Sequence, residues 1–366
     1  MLYEAISCRI EFDLNMKIGI VNLPLDNNYG GNLQRYALIR TLQKMGHNPE
    51  HILLKFGHEV SLFKRMILFV ENLIFLLVKG LINAFSHKQC IPNKNSMDAI
   101  VPFYNKYIPH SSPCYSDTIK KNVGKYDCFI FGSDQIWRKS IAKKYMKLMF
   151  GSFLPPSVKR IAYAVSLGSD TNELSSEEII DLGKLYKKFS AVSLRENSGI
   201  ELVKQYGWNT PKPIHLLDPT FLIDKEEYQE IIKTNKTIPS KGSLFCYILD
   251  YTEEKESIIK RTASNLDLVP YVVSLGDTTS IPQWLREFDD AEFIITDSYH
   301  GLVFSIIFNK PYKLIRNSFR GNARFDSLLQ DFGLSDCEMK IDNEKIKKII
   351  DNHRYMSMKF LQESLV

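Results

Sequence analysis

Short apolar runs alternate with longer amphipathic stretches along most of the chain. The runs are typical of buried strands, and the stretches between them have the spacing of helices with one apolar face. One series occupies residues 17–217 and a second occupies residues 244–364, with the polar, proline- and glycine-bearing segment 236–243 between them. Because strand alternates with helix in both series, each one predicts a parallel α/β sheet.

The pattern assigns positions to these elements. The first series predicts strands at 17–23, 49–55, 128–131, 159–166, 191–194 and 214–217, and helices at 33–45, 97–106, 175–188 and 198–206. The second predicts strands at 244–249, 270–274, 292–296 and 311–315, and helices at 251–264, 281–288, 301–308, 323–332 and 344–364. A chain of 366 residues is too long for one ordinary core. We therefore expect two Rossmann-like domains facing a cleft, residues 16–235 and 236–366, after an N-terminal extension of residues 1–15.

Residues 61–86 do not fit this alternation, because their polar side chains form one narrow stripe on an otherwise apolar helix. Glu71 and Lys79 interrupt the segment, so no apolar run is long enough to span a bilayer. A helix of this kind is either buried in its own domain or lies in a membrane interface. The pattern alone slightly favours burial.

Composition and charge exclude some classes of protein. A hydrophobic content of 44% and a charged content of 24% are ordinary for a soluble globular chain, and a net charge of +5 selects no class of partner. The six cysteines form no Cys-x-x-Cys pair, which argues against a zinc ribbon or a disulfide framework, and Cys128 and Cys246 should pack in the core. Basic residues are not interleaved with aromatic ones, so nucleic-acid binding is not expected. Residues 1–15 lack the pattern of a signal peptide, which indicates a cytoplasmic protein.

Polar residues gather where the predicted strands end, at 26–34, 132–137, 166–169, 195–196, 218 and 296–301. Ligands of open α/β sheets bind at the carboxyl ends of strands, beside helix N-termini. The first cluster, with Asn28, Gly30, Gly31 and Asn32 before a helix, suits an anion or a sugar, or is simply a polar loop. His300, at a strand-to-helix corner, is either a structural histidine or part of a ligand site.

Arginines also occur at strand ends. Arg195 suits bidentate binding of a carboxylate or phosphate, with a salt bridge to Glu196 or Asp218 as the alternative. Arg316, Arg320 and Arg324 follow the last predicted strand, and they are either a solvated surface or part of a site, with Arg324 the one expected to face it. No metal-ligand spacing, dinucleotide fingerprint, nucleophile elbow or Walker loop occurs, and we expect neither a metal nor a cofactor.

A set of short pieces over about residues 17–335 resembles the polysaccharide pyruvyltransferase family and occurs in that family's order. Each piece is weak alone, but the ordered set is specific. The pieces are Asn27–Gln34 with Tyr36–Leu38, Phe131–Trp137, Tyr163–Ser166, Val192–Glu196, Leu217–Pro219, Thr296–Gly301, and Ala323–Phe325 with Leu328–Leu329.

The resemblance implies a GT-B-like fold and transfer of pyruvyl from phosphoenolpyruvate to two hydroxyls of a sugar. The product is a ketal in a surface polysaccharide or its lipid-linked precursor, and phosphate is released. The resemblance makes His300 the general acid or base, and Arg195 and Arg324 the clamps for the donor's anionic groups. The substrate-binding residues that it implies are Asn28, Tyr29, Gly30, Gly31, Asn32, Gln34, Gly132, Ser133, Asp134, Gln135, Trp137, Ser166, Ser298, Gly301 and Arg320.

This chain departs from some relatives at one position, where they carry arginine and it has Ser298. The donor's second anionic group then needs another cation, and Arg320 or Arg324 would compensate. Acceptors of this kind are built at the cytoplasmic membrane. We therefore also expect part of the helix at 61–86 to be a peripheral contact at the inner face of that membrane, flanked by Lys64, Arg65, Lys79 and Lys88.

Two other functions share these features. A GT-B glycosyltransferase that uses a nucleotide sugar has the same fold, and fold alone does not choose between the chemistries. A non-catalytic carbohydrate-binding protein would bind sugar without releasing phosphate. Binding of phosphoenolpyruvate rather than a nucleoside diphosphate distinguishes a pyruvyltransferase from such a glycosyltransferase.

Overall fold

The computed structural model describes residues 15–57, 97–317 and 321–366. Three predictions lie outside the described residues: the N-terminal extension as far as residue 14, the apolar helix at 61–86, and the position of Arg320. In the described part of the chain, no helix has the length and apolar content needed to cross a bilayer.

The first sheet is built from parallel strands that lie within the first predicted series. They are β1 (Lys17–Val21), β2 (Asn48–His51), β5 (Cys128–Phe131), β6 (Lys159–Val165), β7 (Ala191–Leu194) and β8 (Ile214–His215), in the order β2-β1-β5-β6-β7-β8. A separate short pair consists of β3 (Leu54–Lys55) and β4 (Cys114–Tyr115). Every residue of β5 is buried, as expected for a parallel strand covered on both faces.

Helices connect these strands. They are α1 (Tyr29–Lys44), α2 (Met97–Tyr107), α3 (Lys139–Ala142), α4 (Met146–Met149), α5 (Ser176–Tyr186), α6 (Asn197–Gln205) and α7 (Lys225–Thr234). Short 3-10 helices occupy Ile119–Lys125, Lys143–Tyr145 and Pro219–Leu222. Local chemistry explains individual starts: Ser175 and Glu178 form a capping box that begins α5.

The second sheet has the order β10-β9-β11-β12-β13. Its strands are β9 (Leu244–Ile248), β10 (Pro270–Ser274), β11 (Phe293–Thr296), β12 (Tyr312–Leu314) and β13 (Cys337–Glu338). All pairs are parallel except β12 with β13. The helices of this half are α8 (Glu253–Leu266), α9 (Ile281–Asp290), α10 (Tyr299–Ile307), α11 (Ala323–Phe332) and α12 (Asn343–Leu365). The prediction of two Rossmann-like α/β halves is confirmed.

The two halves share apolar core. One buried cluster includes Ile18 of β1, Phe245 of β9 and Leu361 of α12. The predicted division at residue 235 falls between the two sheets, but the last helix returns to the first half, where Lys159 Nζ donates to the carbonyl of Leu365 at 3.2 Å. Cys128 and Cys246 are buried in the core, as expected.

Two helices begin earlier than predicted, and both carry candidate site residues. Helix α1 begins at Tyr29 rather than at residue 33, because the side chain of Asn28 accepts a hydrogen bond from Gly31 N and caps the helix. Helix α10 begins at Tyr299 rather than at residue 301. Glycine and asparagine are poor helix formers, so propensity alone left the first turn of α1 in the loop. Capping and burial outweigh that preference in the folded chain.

Candidate functional site

The order of strands determines where a site can form. Strand order reverses beside β1 in the first sheet and beside β9 in the second. In a doubly wound sheet such a reversal opens a crevice at the carboxyl ends of the strands. The segments that follow β1, β5 and β11 lie at these crevices, and they contain the predicted clusters at 26–34, 132–137 and 296–301.

Asp218 links two of the predicted catalytic residues. Its Oδ2 accepts a hydrogen bond from Arg195 Nη1 at 2.6 Å and lies 3.6 Å from His300 Nε2. Its Oδ1 accepts from the backbone N–H and the hydroxyl of Thr220. Burial alone would raise the pKa of Asp218, but the contact with His300 and the charge of Arg195 hold it well below its usual value. A carboxylate kept ionised in this way orients both the guanidinium of Arg195 and the imidazole of His300.

His300 reaches Asp218 from the other half of the molecule. It lies in the first turn of α10, and its side chain is almost fully buried. The first turn of α1 packs directly against it: a Cβ added at Gly30 would lie 2.0 Å from His300 Cγ. Only glycine therefore fits at this position without moving the imidazole.

Arg195 and Arg324 converge on one aromatic ring. The guanidinium carbon of Arg195 lies 4.4 Å from the centre of the Tyr299 ring, and that of Arg324 lies 5.3 Å from it. Burial and the charge of Arg195 together lower the pKa of Arg324 to about 10. Both groups are thus cationic at neutral pH, and they repel each other across the ring. An anion bound between them would relieve that repulsion.

Asp134 belongs to the same cluster. It follows β5 with a backbone φ of +78°, a left-handed conformation that aspartate and asparagine tolerate better than most residues. Its Oδ1 accepts from Gln135 N at 2.8 Å and lies 3.5 Å from Arg195 Nη2. Burial by itself raises the pKa of Asp134. The charges of Arg195, His300 and Arg324 outweigh that effect, and the net pKa lies below the ordinary value of an aspartate.

Glu196 is the third buried carboxylate of this region. Its Oε1 accepts from the hydroxyl of Ser166 at 2.9 Å and from the backbone N–H groups of Leu167 and Gly168 at 2.8 and 3.1 Å. The predicted substrate-binding residue Ser166 therefore donates its hydroxyl proton to Glu196. Through these hydrogen bonds, Glu196 connects the loop after β6 to the end of β7, which Arg195 directly follows.

Other predicted binding residues serve the framework. Trp137 lies in the core of the first half, stacked on Phe150 and donating from Nε1 to the carbonyl of Met149 at 3.1 Å. The family resemblance implied a ligand contact for Trp137, but a buried indole whose N–H has a backbone partner is an ordinary core residue. Tyr29 is buried between the halves, stacked on Trp284.

Most of the remaining predicted residues support turns and helix starts. Gln34 is the exception, because both atoms of its side-chain amide are buried without a hydrogen-bond partner among the described residues. Asn28 caps α1, Gly31 donates to that cap, and Asn32 Nδ2 donates to the carbonyls of Asp26 and Asn28. In the turn after β5, Gly132 has a φ of +119°, Ser133 Oγ donates to the carbonyl of Ala164, and Gln135 Oε1 accepts from Arg138. At the start of α10, Ser298 N donates to Thr296 Oγ1 and Gly301 packs on Thr296. Gln34 is buried in α1.

Sequence reasoning named Asp218 and Glu196 only as alternative salt-bridge partners of Arg195, and it assigned no role to Tyr299. Each lies inside or directly beside a family-like piece, so the signal was present in the sequence. The alternative reading of Arg195, a salt bridge to Asp218, is what the structure shows. The salt bridge does not use every donor of Arg195, because its buried Nε has no hydrogen-bond partner among the described residues.

No group of three or more histidine, cysteine, aspartate or glutamate side chains in the described ranges is arranged to hold a metal ion. The residues gathered here instead combine two guanidinium groups, an imidazole and carboxylates. Such a set can hold an anion and move a proton.

Comparison with solved structures finds distant neighbours. The S. aureus MnaA-UDP co-structure has a TM-score of 0.45 at 11% identity and covers 94% of this chain and 91% of that one. An alpha-glucosyltransferase in complex with UDP and a 13-mer DNA has a TM-score of 0.46 at 11% identity, covering 95% of this chain and 96% of that one. A UDP-GlcNAc 2-epimerase from Neisseria meningitidis has a TM-score of 0.44 at 10% identity, covering 95% and 99%. Scores this low carry no argument about chemistry.

Sequence comparison is more specific. No curated protein matches this chain. A family model described as polysaccharide pyruvyl transferase matches residues 28–315, which is well over half of the chain and includes His300 and Arg195. The chain therefore belongs to the polysaccharide pyruvyl transferase family.

Proposed function

We propose that this protein transfers a pyruvyl group from phosphoenolpyruvate to two hydroxyls of a sugar, forming a ketal and releasing phosphate. The observation that carries the proposal is the convergence of Arg195 and Arg324 on the ring of Tyr299, beside the His300–Asp218 pair. Family membership supports a transferase that acts on polysaccharide, and this cluster supports the anionic donor.

Phosphoenolpyruvate carries a carboxylate and a phosphate, so its binding calls for two cationic groups. Arg195 and Arg324 provide them. The buried Nε of Arg195 has no hydrogen-bond partner among the described residues and is available to the donor. Because Ser298 replaces the arginine of some relatives, we assign the second anionic group to Arg324.

The reaction also requires proton transfer. The methylene carbon of the donor must gain a proton for its central carbon to accept an oxygen. His300 is suited to give that proton, since an imidazole exchanges protons near neutral pH. Its neighbour Asp218 stays ionised and stabilises the imidazolium form that makes the donation.

The acceptor that we propose is a sugar of a surface polysaccharide, either free or as a lipid-linked precursor. Family membership supports a polysaccharide as the final product. A lipid-linked precursor would bring the enzyme to a membrane surface, and the apolar segment 61–86, which lies outside the described residues, is the proposed contact.

The test is incubation of the protein with phosphoenolpyruvate and a panel of free and lipid-linked glycans, with mass spectrometry to find a pyruvyl adduct. Phosphate release should match adduct formation. His300→Ala supplies the inactive control, with an expected loss of roughly 10²–10⁴-fold.

A parallel measurement separates the competing functions. Phosphoenolpyruvate should raise the thermal midpoint of the protein, and a nucleoside diphosphate should not. Stabilisation by the nucleotide together with transfer from a nucleotide sugar would overturn the proposal in favour of a glycosyltransferase. Glycan binding without phosphate release would favour a carbohydrate-binding protein.

A further inference from the structure

Ketal formation needs two proton-handling groups, because protons leave the acceptor hydroxyls while another is added to the donor. His300 alone cannot hold the proton that it gives and the proton that it takes in the same step. The site contains three buried carboxylates, Asp134, Glu196 and Asp218, and their surroundings differ.

Asp218 and Glu196 are fully buried, and three of their four carboxylate oxygens have partners. The fourth, Glu196 Oε2, has no hydrogen-bond partner among the described residues, but it is itself buried. Asp218 uses one oxygen for Thr220 and the other for Arg195. Glu196 accepts from three donors at Oε1, all of them in the loop after β6. Neither carboxylate has surface through which a sugar hydroxyl could reach it.

Asp134 is the one of the three that is partly exposed. It retains 7% of its surface, whereas Asp218 and Glu196 retain 0%. Within the described residues, its hydrogen bond and its ion pair are both made at Oδ1, which leaves Oδ2 for a ligand. It also lies close enough to Arg195, His300 and Arg324 to be influenced by their charges.

From this geometry we infer that Asp134 is a second catalytic residue, the base that removes the proton from the first acceptor hydroxyl. The inference rests on the proposed function. In the first step the acceptor O–H bond breaks and its proton passes to Asp134 Oδ2. The oxygen forms a bond to the donor's central carbon, and the π electron pair takes a proton from His300 at the methylene carbon, which becomes a methyl group.

In the second step the other hydroxyl displaces phosphate. A second O–C bond forms, the C–O bond to phosphate breaks, and its electron pair leaves with the phosphate. The proton of this hydroxyl passes to the now neutral His300, and Asp134 returns its proton to the leaving phosphate. Both residues end in their starting protonation states, so no further proton carrier is needed.

The charges around Asp134 also order the two substrates. Before the donor binds, the neighbouring cations keep the carboxylate a weak base. Donor binding neutralises Arg195 and Arg324, so the pKa of Asp134 rises and its basicity increases. The base therefore becomes effective only when the donor is in place.

The decisive variant is Asp134→Asn. Asparagine has the same shape, tolerates the φ of +78° and keeps an oxygen for Gln135 N, so the turn should survive. We expect kcat to fall by roughly 10²–10⁴-fold. The Kd for phosphoenolpyruvate, measured by calorimetry, should stay the same or decrease, because a negative charge beside the arginines is lost. Asp127→Asn, at the amino end of the same strand, is the matched control and should keep wild-type activity.

A pH profile adds an independent readout. As pH is lowered, kcat should begin to fall at a higher pH than kcat/KM for the donor does. In Asp134→Asn this fall of kcat at low pH should be absent. Ketal formation at near wild-type kcat by Asp134→Asn would overturn the inference and leave the proposed function standing. So would weaker donor binding with unchanged kcat, which is expected if Asp134 only positions Arg195. Failure of the wild type to form any ketal would overturn the proposed function itself.

Discussion

At the scale of single residues, Gly30 and His300 show how closely the two halves meet. The Cβ of an alanine at position 30 would lie 2.0 Å from His300 Cγ, well inside van der Waals contact. Gly30 is in the first turn of α1, where alanine is a better helix former than glycine. The cost of the substitution should therefore fall on the position of the imidazole rather than on the helix.

We predict that Gly30→Ala loses most ketal-forming activity while retaining its far-ultraviolet circular dichroism spectrum. The control is Gly124→Ala, since a Cβ at Gly124 would have nothing within 4 Å. Wild-type kcat in Gly30→Ala would show that the position of His300 does not matter to the reaction.

A second residue-scale prediction separates binding from stability. Arg195 is a poor choice for substitution because its loss would leave Asp218 buried and unpaired. Burial and the charge of Arg195 both disfavour the cationic form of Arg324, as its lowered pKa shows. Arg324→Gln should weaken binding of phosphoenolpyruvate by about 1.5–3 kcal/mol, the usual loss of a charge-assisted hydrogen bond.

The thermal midpoint of Arg324→Gln should be unchanged or higher, since the repulsion is removed. Calorimetric titration with phosphoenolpyruvate and a thermal melt measure the two effects. Arg316→Gln is the matched control, because Arg316 is paired with Asp326 and Asp336 at the surface. Undiminished donor binding by Arg324→Gln would remove Arg324 from the site.

At the scale of elements, helix α11 is joined to strand β8 by a titratable pair. His215 Nε2 lies 3.5 Å from Asp331 Oδ2 and 3.0 Å from the carbonyl of Arg195. Burial raises the pKa of Asp331 to about 6, although His215 opposes the shift. The pair connects the helix that carries Arg324 in its first turn to the strand end that carries Arg195.

The sign of the pH effect follows from that shift. Between about pH 4 and pH 6 the unfolded chain loses the proton of Asp331 while the folded chain keeps it, so stability falls as pH rises through this window. Asp331→Asn cannot ionise. Its stability advantage over wild type should therefore grow across the window, by up to about 2–3 kcal/mol, and stay constant above it.

Denaturant unfolding at a series of pH values measures this advantage. Asp326→Asn, an exposed carboxylate on the same helix, should show no comparable growth. A stability difference for Asp331→Asn that does not depend on pH would contradict the assignment.

The apolar segment 61–86 yields another element-scale prediction, from its sequence pattern alone. The pattern predicts Phe69 and Phe75 on the apolar surface of a helix, with Lys64, Arg65 and Lys79 beside it to attract anionic lipid. Wild type should co-sediment with anionic liposomes, and Phe69→Glu with Phe75→Glu should not. Ile180→Glu, at an exposed isoleucine of α5, is the control and should sediment like wild type. Absence of binding in wild type would indicate a segment that packs in the protein.

At the scale of the whole molecule, the halves are joined by aromatic contacts. Tyr29 of α1 stacks on Trp284 of α9 with ring centres 5.3 Å apart and donates its hydroxyl proton to the carbonyl of Thr279 at 2.9 Å. The C-terminal helix adds a second connection, because Arg354 Nε donates to the carbonyl of Phe221. A core shared in this way predicts unfolding as one unit.

Calorimetry should show one transition with equal calorimetric and van't Hoff enthalpies. Tyr29→Ala should lower stability by about 3–5 kcal/mol, the usual cost of removing a buried aromatic side chain. Tyr251→Ala, at an exposed tyrosine in the second half, is the matched control and should change stability little. Two separate transitions in wild type would indicate halves that fold independently.

The pattern of residues along the chain was enough to predict the strands, the helices and the α/β fold class. The apolar run Cys128–Phe131 became a strand at the predicted residues, because a strand covered on both faces needs an uninterrupted apolar run. Alternation with helices determined that both sheets are parallel apart from the last pair. It also placed His300 and Arg195 at strand ends, where a site was expected.

Which side chains meet depends on how the chain folds in three dimensions. Gly30 and His300 are far apart in the chain, and their contact depends on how one sheet faces the other. In the folded protein, Asp218 contacts both Arg195 and His300, and Trp137 is buried in the core. The physical reason is that hydrophobic periodicity depends on neighbours along the chain, whereas ion pairing and close packing depend on distances in space that the chain order does not contain.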